Sequence, residues 1–302
     1  MLPLGMTMGL GMRVGSSPAV PWYDTLAGKI SQLLLSGSNY QTESGGLISS
    51  WSNYAATHAA TATGTARPTQ NVGANGAYYA SFNGATNVLE GAMPITAVAM
   101  LALVRINSGI EMFGDGVKRL GPIWFPTVAD LLPTDANSLL NVGTNYANGT
   151  ATNVWWPGGW GVIGQVRDNG IAVTSAGVLK IGSAFGTFSN CDIATAVWFH
   201  SMWTPDELDL ATAQMLAGAP TEFSATVTGG ALSATVTDTS TAGFANYGVS
   251  WGDGSDNTTD KMPGSTAGHD YDTPGVYTVT VSWFGAEEVL LHSKSYSVTV
   301  DP

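Results

Sequence analysis

The chain has 302 residues, with 22 acidic against 10 basic side chains for a net charge of −12, and 38 glycines. Only 11% of residues are charged, against roughly a quarter in an average soluble domain. This composition excludes a charged helix bundle, and the acidic balance excludes nucleic acid as a partner, because such a surface repels phosphates.

Residues 1–20 form an arm in which Leu4, Met6, Met8, Leu10 and Met12 lie among glycines, ending in Ser16-Ser17-Pro18. No basic residue precedes its apolar part, and glycine or proline interrupts it, so it does not read as a secretory signal. An exposed apolar arm costs solubility. It is expected to anchor the protein on a partner or a neighbouring copy, the plainer alternative being a frayed terminus.

Residues 21–220 are dense in turn signals: Ser44-Gly45-Gly46, Asn75-Gly76, Asn83-Gly84, Gly114-Asp115-Gly116 and Asn169-Gly170. Short runs of Val, Ile, Thr and aromatics between them predict many strands in a β-sandwich or jelly roll. The run from Ile95 to Val104 is too short to cross a bilayer. It predicts a strand buried on both faces, and no membrane insertion is expected. A helix is predicted at the end of the segment. Thr204-Pro205-Asp206-Glu207 supplies an N-cap, a proline at the first helical position and the Glu of a capping box. Leu208, Ala211, Met215 and Leu216 give an apolar stripe that Gly218 ends. Ala219-Pro220 begins the linker.

Residues 221–302 alternate with period two. Tyr277, Val279, Val281 and Trp283 point one way with hydroxyl residues between them. Leu232, Ala234 and Val236 do the same, as do Tyr247, Val249 and Trp251, and Tyr296, Val298 and Val300. This segment holds most of the net negative charge and predicts a small Ig-like sandwich. The fold class expected is therefore all-β: an arm (1–20), a jelly roll closed by a short helix (21–220), and an Ig-like sandwich (221–302).

Val249-Ser-Trp251-Gly-Asp253-Gly-Ser255, with His269-Asp270-Tyr271 and Pro274-Gly275-Val-Tyr277-Thr-Val279, resembles the Trp-Gly-Asp-Gly-Ser and His-x-Tyr…Pro-Gly-x-Tyr-x-Val elements of PKD domains. The resemblance implies that Trp251, Asp253, His269, Tyr271, Pro274, Gly275 and Tyr277 hold the fold. Tyr277, two before Val279, has the spacing of a tyrosine corner. The longer segment is similar to laminin G-like, or concanavalin A-like, jelly rolls. The similarity runs through Gly46 to Trp51, Arg67-Pro68, Asn75-Gly76, Phe82-Asn83-Gly84, Asn169-Gly170, Cys191-Asp192-Ile193-Ala194 and Val197 to Phe199, then the capped helix. Cys191 stands where that family commonly has glycine.

Catalytic patterns are missing. Jelly-roll glucanases place their carboxylates on one strand as Glu-x-Asp-x-Glu, and no such string occurs. Glu207 and Asp209 approach it, but on the predicted helix. Gly-x-Ser-x-Gly is absent, and His58, His200 and His269 have no metal-ligand spacing. The lone cysteine, Cys191, excludes an intrachain disulfide. The chain is therefore expected not to be an enzyme and to need no cofactor. Asp253, Asp256 and Asp260 are the candidates for calcium. Trp155-Trp156-Pro-Gly-Gly-Trp160 is an aromatic turn on which sugars could stack, with Asn148, Asn153 and Asp168 to read hydroxyls. The alternative is that these tryptophans fill the core or a subunit contact.

Arm, jelly roll and PKD-like module together resemble a structural protein of a tailed bacteriophage. The resemblance implies a virion protein assembled in the host cytoplasm: a capsid decoration or head-fibre protein, oligomeric, bound to other virion proteins by its arm and displaying the PKD-like module to host glycans. A tail fibre or receptor-binding protein, a bacterial surface adhesin and a glycosidase are the alternatives.

Overall fold

A computed structural model describes residues 21–54, 59–91, 95–108, 112–114, 123–125, 130–132, 143–152, 159–175, 178–184, 187–285 and 288–302. The arm, with Leu4, Met6, Met8, Leu10 and Met12, lies outside them. So do Asn153, Trp155, Trp156 and His58. The fold is an all-β sandwich arrangement. No helix among the described residues is long and apolar enough to cross a membrane.

The centre of the N-terminal sandwich is the Ala99–Ser108 strand. It is flanked by Gly161–Arg167 and by Asn190–Phe199, both antiparallel to it. It continues the apolar run that begins at Ile95. Met100, Ala102, Val104 and Ile106 face one core, while Ala99, Leu101 and Leu103 face a second. Burial on both faces is what a near-continuous apolar run requires. The Asn190–Phe199 strand does the same with a register shift between Ile193 and Thr195. Cys191, Ile193, Ala196 and Trp198 enter the first core, and Ala194, Val197 and Phe199 the second. Its other edge pairs with Tyr78–Asn83 over Asn190 to Ile193, and with Ile30–Leu35 from Thr195 onward.

The first core lies inside the ladder and is filled by Ile48, Trp51, Phe82, Leu179, Ile181 and Trp198. The second is closed by the Pro205–Ala217 helix. Thr204 and Glu207 form the reciprocal capping box, and Leu208, Ala211 and Met215 are buried. Glu207 Oε2 also accepts from Lys29 Nζ at 2.6 Å, tying the cap to the first strand's approach. Asn169-Gly170 makes a turn, with Gly170 at φ 65°. It does not join a paired hairpin, however. Gly161–Arg167 before it pairs with Ala99–Ser108, and Val173–Thr174 after it pairs with Thr96–Ala97.

Residues 225–300 form two further sheets, one of three strands and one of four. Their shared core holds Val236, Tyr247, Val249, Trp251, Val279, Val281 and Trp283. Leu232 departs from the predicted alternation. It sits at φ 48° between Ala225–Gly230 and Ser233–Asp238, with its side chain exposed. The backbone explains this position. Leu232 N donates to Asp301 O at 2.8 Å, and Leu232 O accepts from Tyr271 N at 2.8 Å.

Candidate functional site

The Ala99–Ser108 strand carries one charged side chain, Arg105, near its end. Asp192 lies directly opposite it on Asn190–Phe199. The guanidinium donates through Nε to Asp192 Oδ2 at 2.8 Å and through Nη1 to Glu222 Oε2 at 2.6 Å. Asp192 is almost wholly buried and also accepts from Ser81 Oγ, which in turn accepts from Asn71 Nδ2. Tyr79 Oη donates to Glu222 Oε1 at 2.9 Å. The Arg105 guanidinium lies 5.7 Å from the Tyr79 ring centroid and 5.4 Å from that of Trp160, so both rings offer it their π-faces. The two rings meet edge to face at 5.2 Å.

Glu222 belongs to the connector, and both sandwiches hold it. Its N–H donates to Thr241 Oγ1, and its carbonyl accepts from the N–H groups of Thr241 and Ala242 in the C-terminal sandwich. Its carboxylate is held by Tyr79 and Arg105 of the N-terminal one. The neighbouring backbone is fastened as well. Ala74 N donates to Thr221 O at 2.6 Å, and Asn75 bonds both Thr221 N and Ala219 O. Gly73 approaches so closely that a Cβ there would lie 2.9 Å from Thr221 N and O. Beside this joint opens a cleft of about 830 Å³. Val72, Gly73, Ala74, Tyr79 and Arg105 line it on one side, Thr221 to Phe223 along the connector, and Leu291 to Ser295 on the other side.

The ionisation states follow from these contacts. Burial would raise the Glu222 carboxyl, but the Arg105 hydrogen bond and charge outweigh it and leave the group below the ordinary glutamate value. Burial and the bond to Glu222 push the Tyr79 phenol up to about 12. Burial alone would lower Arg105, yet Glu222 and Asp192 hold it above its ordinary value. The Glu222 carboxylate is thus held in its charged form, and both it and Asp192 are hydrogen-bonded to the one guanidinium. That arrangement fixes geometry and leaves no free acid or base.

The other candidates fall as follows. Trp160 packs on the second core beside Tyr79, with its Nε1 buried and without a partner. Asp168 Oδ1 accepts from Thr144 N at 3.0 Å and Thr144 Oγ1 at 2.9 Å. Asn148, at φ 50°, closes a turn by accepting from Val162 N. Trp160 and Asp168 are therefore engaged in local structure, and Asn153, Trp155 and Trp156 lie outside the described residues. In the C-terminal sandwich, Asp253 Oδ1 accepts from Ser255 N and Oγ, and Oδ2 lies 2.7 Å from His269 Nε2. The Ser255 and His269 bonds hold the Asp253 carboxyl far below the usual carboxylate range. His269 stacks on Trp251 at 5.0 Å. Tyr271 Oη donates to Trp251 O at 3.0 Å, and Tyr277 Oη to Thr273 O at 2.7 Å. Gly275 lies against the Tyr277 ring, and Pro274 precedes that strand in the chain. Among the described residues no three His, Cys, Asp or Glu side chains converge as metal ligands, so Asp253, Asp256 and Asp260 are not brought together for calcium.

Sequence reasoning missed Arg105 and Glu222. The available signals were a single arginine inside an apolar strand and a glutamate two residues beyond Pro220.

Fold and joint define a class: an all-β protein of two sandwiches locked through one ion-paired connector. No family model matches the chain, and no curated protein does. Among solved structures, the PKD1 domain of the Vibrio cholerae metalloprotease PrtV is similar at 21% identity. The match covers 27% of this chain and 95% of that domain, with a TM-score of 0.21. A β-1,2-glucanase from Parabacteroides distasonis is similar at 9% identity over 80% of this chain, also with a TM-score of 0.21. The match covers 35% of the glucanase. At these scores neither likeness carries an argument about activity.

Proposed function

We propose that the chain is a non-enzymatic display protein on the virion of a tailed bacteriophage, a capsid decoration or head-fibre protein. The N-terminal sandwich faces the particle, and the acidic C-terminal sandwich projects towards host surface glycans. The observation that supports this reading is the joint. A connector whose backbone belongs to one sandwich and whose carboxylate belongs to the other sets a fixed standoff between them, which a display protein needs. The carboxylates at the joint are committed to Arg105, which favours a structural role over hydrolysis.

The test is electron microscopy of particles from the source culture, labelled with an antibody to residues 221–302. Label spread over the icosahedral shell is the expected result. Label confined to the tail would replace decoration with a tail-fibre role. Absence of label from every particle would overturn the virion reading and favour a bacterial surface adhesin.

A further inference from the structure

Along the Leu290–Val300 strand, residues opposite the core positions of Gly275–Phe284 share their face of the sheet. Val298 stands opposite Tyr277, Tyr296 opposite Val279, Lys294 opposite Val281 and His292 opposite Trp283. Val281 and Trp283 are wholly buried, so Lys294 and His292 occupy inward positions, and yet both are exposed. The change comes at Tyr296. Its Oη accepts from the N–H of Ala225, the first residue of the facing Ala225–Gly230 strand. Beyond that point the same inward face meets the connector in place of a strand, and borders the cleft of about 830 Å³ beside the joint.

Two polar side chains thus stand where the alternation calls for apolar ones, and core packing does not account for them. The His292 ring lies on Phe223 of the connector, with centroids 5.5 Å apart and planes within 14°. Lys294 Nζ sits 5.5 Å from the Tyr296 ring centroid. Among the described residues no hydrogen bond or ion pair takes the Lys294 ammonium or the His292 ring nitrogens. In the same cleft, the Glu222 carboxylate accepts one bond on each oxygen, from Tyr79 and from Arg105, and each oxygen keeps a lone pair. The charges at the cleft balance, Arg105 and Lys294 against Asp192 and Glu222.

We infer that this cleft binds a neutral saccharide, its C–H face seated on the side of His292 turned away from Phe223 and its hydroxyls bonded by Lys294 as donor and Glu222 as acceptor. The ligand class follows from the walls. A flat ring beside interleaved donors and acceptors matches a sugar, which has an apolar face and hydroxyls that both give and accept. An apolar ligand would strand an ammonium and a carboxylate. A polyanion would meet a balanced site on a chain of net charge −12. The volume falls within the roughly 300–1,000 Å³ of small-ligand sites, which favour the space between domains. The inference rests on the display reading for the source of the saccharide, a host surface, and deepens it by placing the contact at the joint.

Binding of the purified full chain to an array of immobilised neutral and acidic oligosaccharides tests the inference. Neutral oligosaccharides should be retained by the natural chain. Lys294→Met, which keeps the stem over Tyr296 but removes the donors, should weaken retention about ten-fold. His292→Ala should weaken it as well by removing the platform. Thermal unfolding of each variant shows that the C-terminal sandwich is intact, and Lys294→Met carries the test should His292→Ala unfold it. Equal retention by the natural chain and Lys294→Met would overturn the site while leaving glycan display in place. Retention of acidic oligosaccharides alone would overturn the ligand class. Retention of none would overturn the inference outright, whereas the virion reading stands or falls separately on where the antibody label sits.

Discussion

The Arg105 guanidinium and the Glu222 carboxylate meet at 2.6 Å, and the backbones that carry them belong to different hydrophobic cores. Arg105 stands on the central strand of the N-terminal sandwich, 117 residues from Glu222. Glu222 is bonded through its own N–H and carbonyl to Thr241. The pair therefore couples tilt of one sandwich to loss of a partly buried, hydrogen-bonded ion pair.

Replacing Arg105 by Met leaves the almost wholly buried Asp192 without its cation, so the N-terminal sandwich should lose about 2 kcal/mol or more. Glu222→Gln keeps the Arg105–Asp192 pair and should cost only about 1 kcal/mol, while loosening the joint. Urea midpoints report the first effect. Proteolysis between residues 219 and 223 reports the second, and a connector no more sensitive than the natural one would refute the locking role.

The joint should respond to pH at both ends of the scale. The folded-state value of Glu222 lies below its unfolded one. Its stabilisation is present above about pH 4.3 and is lost as pH falls through the folded value. The Tyr79 phenol is raised from 10.0 to about 12. Its contribution is full below pH 10 and is lost as pH rises towards about 12. In Glu222→Gln the acid-side change should flatten, as read by thermal unfolding against pH.

Two glycines at similar φ should respond differently. A Cβ at Gly182 (φ 87°) would lie 2.1 Å from the Phe82 ring, whereas at Gly76 (φ 80°) it would meet nothing within 4 Å. Gly76→Ala should cost about 1 kcal/mol through backbone conformation alone. Gly182→Ala adds overpacking of about 1–3 kcal/mol. Equal melting temperatures for the two variants would rule out the packing account.

In the C-terminal sandwich, Tyr271→Phe leaves the Trp251 carbonyl without its buried donor. A loss of about 1–2 kcal/mol is expected, with the N-terminal sandwich unaffected in two-phase unfolding. Thr204→Ala should act in the opposite place, removing one arm of the capping box for about 1 kcal/mol and lowering the N-terminal transition instead.

Much of the fold was legible because its signals are local. The capping box lies within four residues, and the alternation around Tyr277 to Trp283 within seven. The Ile95 to Val104 run announces burial by composition alone. The site was not legible, because its contacts are distant. Arg105 finds its two carboxylates 87 and 117 residues away, and an arginine in an apolar run does not say which acids will meet it. Leu232 was misread because period-two reasoning has no access to the left-handed backbone that turns it outward. The aromatic turn drew attention by density. Of its rings, the described one, Trp160, is half-buried and packs against Tyr79 and Arg105.

The register shift at Ala194 resets the strand's reading frame. Before it, odd-numbered residues feed the core inside the ladder; after it, even-numbered ones do, so that Ile193 and Trp198 share that core. Were the same sequence paired straight through, with no extra residue bulged out, Trp198 would turn against the helix and Phe199 against Trp51's side. The strand can therefore lose its one extra residue at the shift and keep every later side chain on its own side, but a gain or loss of one residue anywhere else along it turns the far half over.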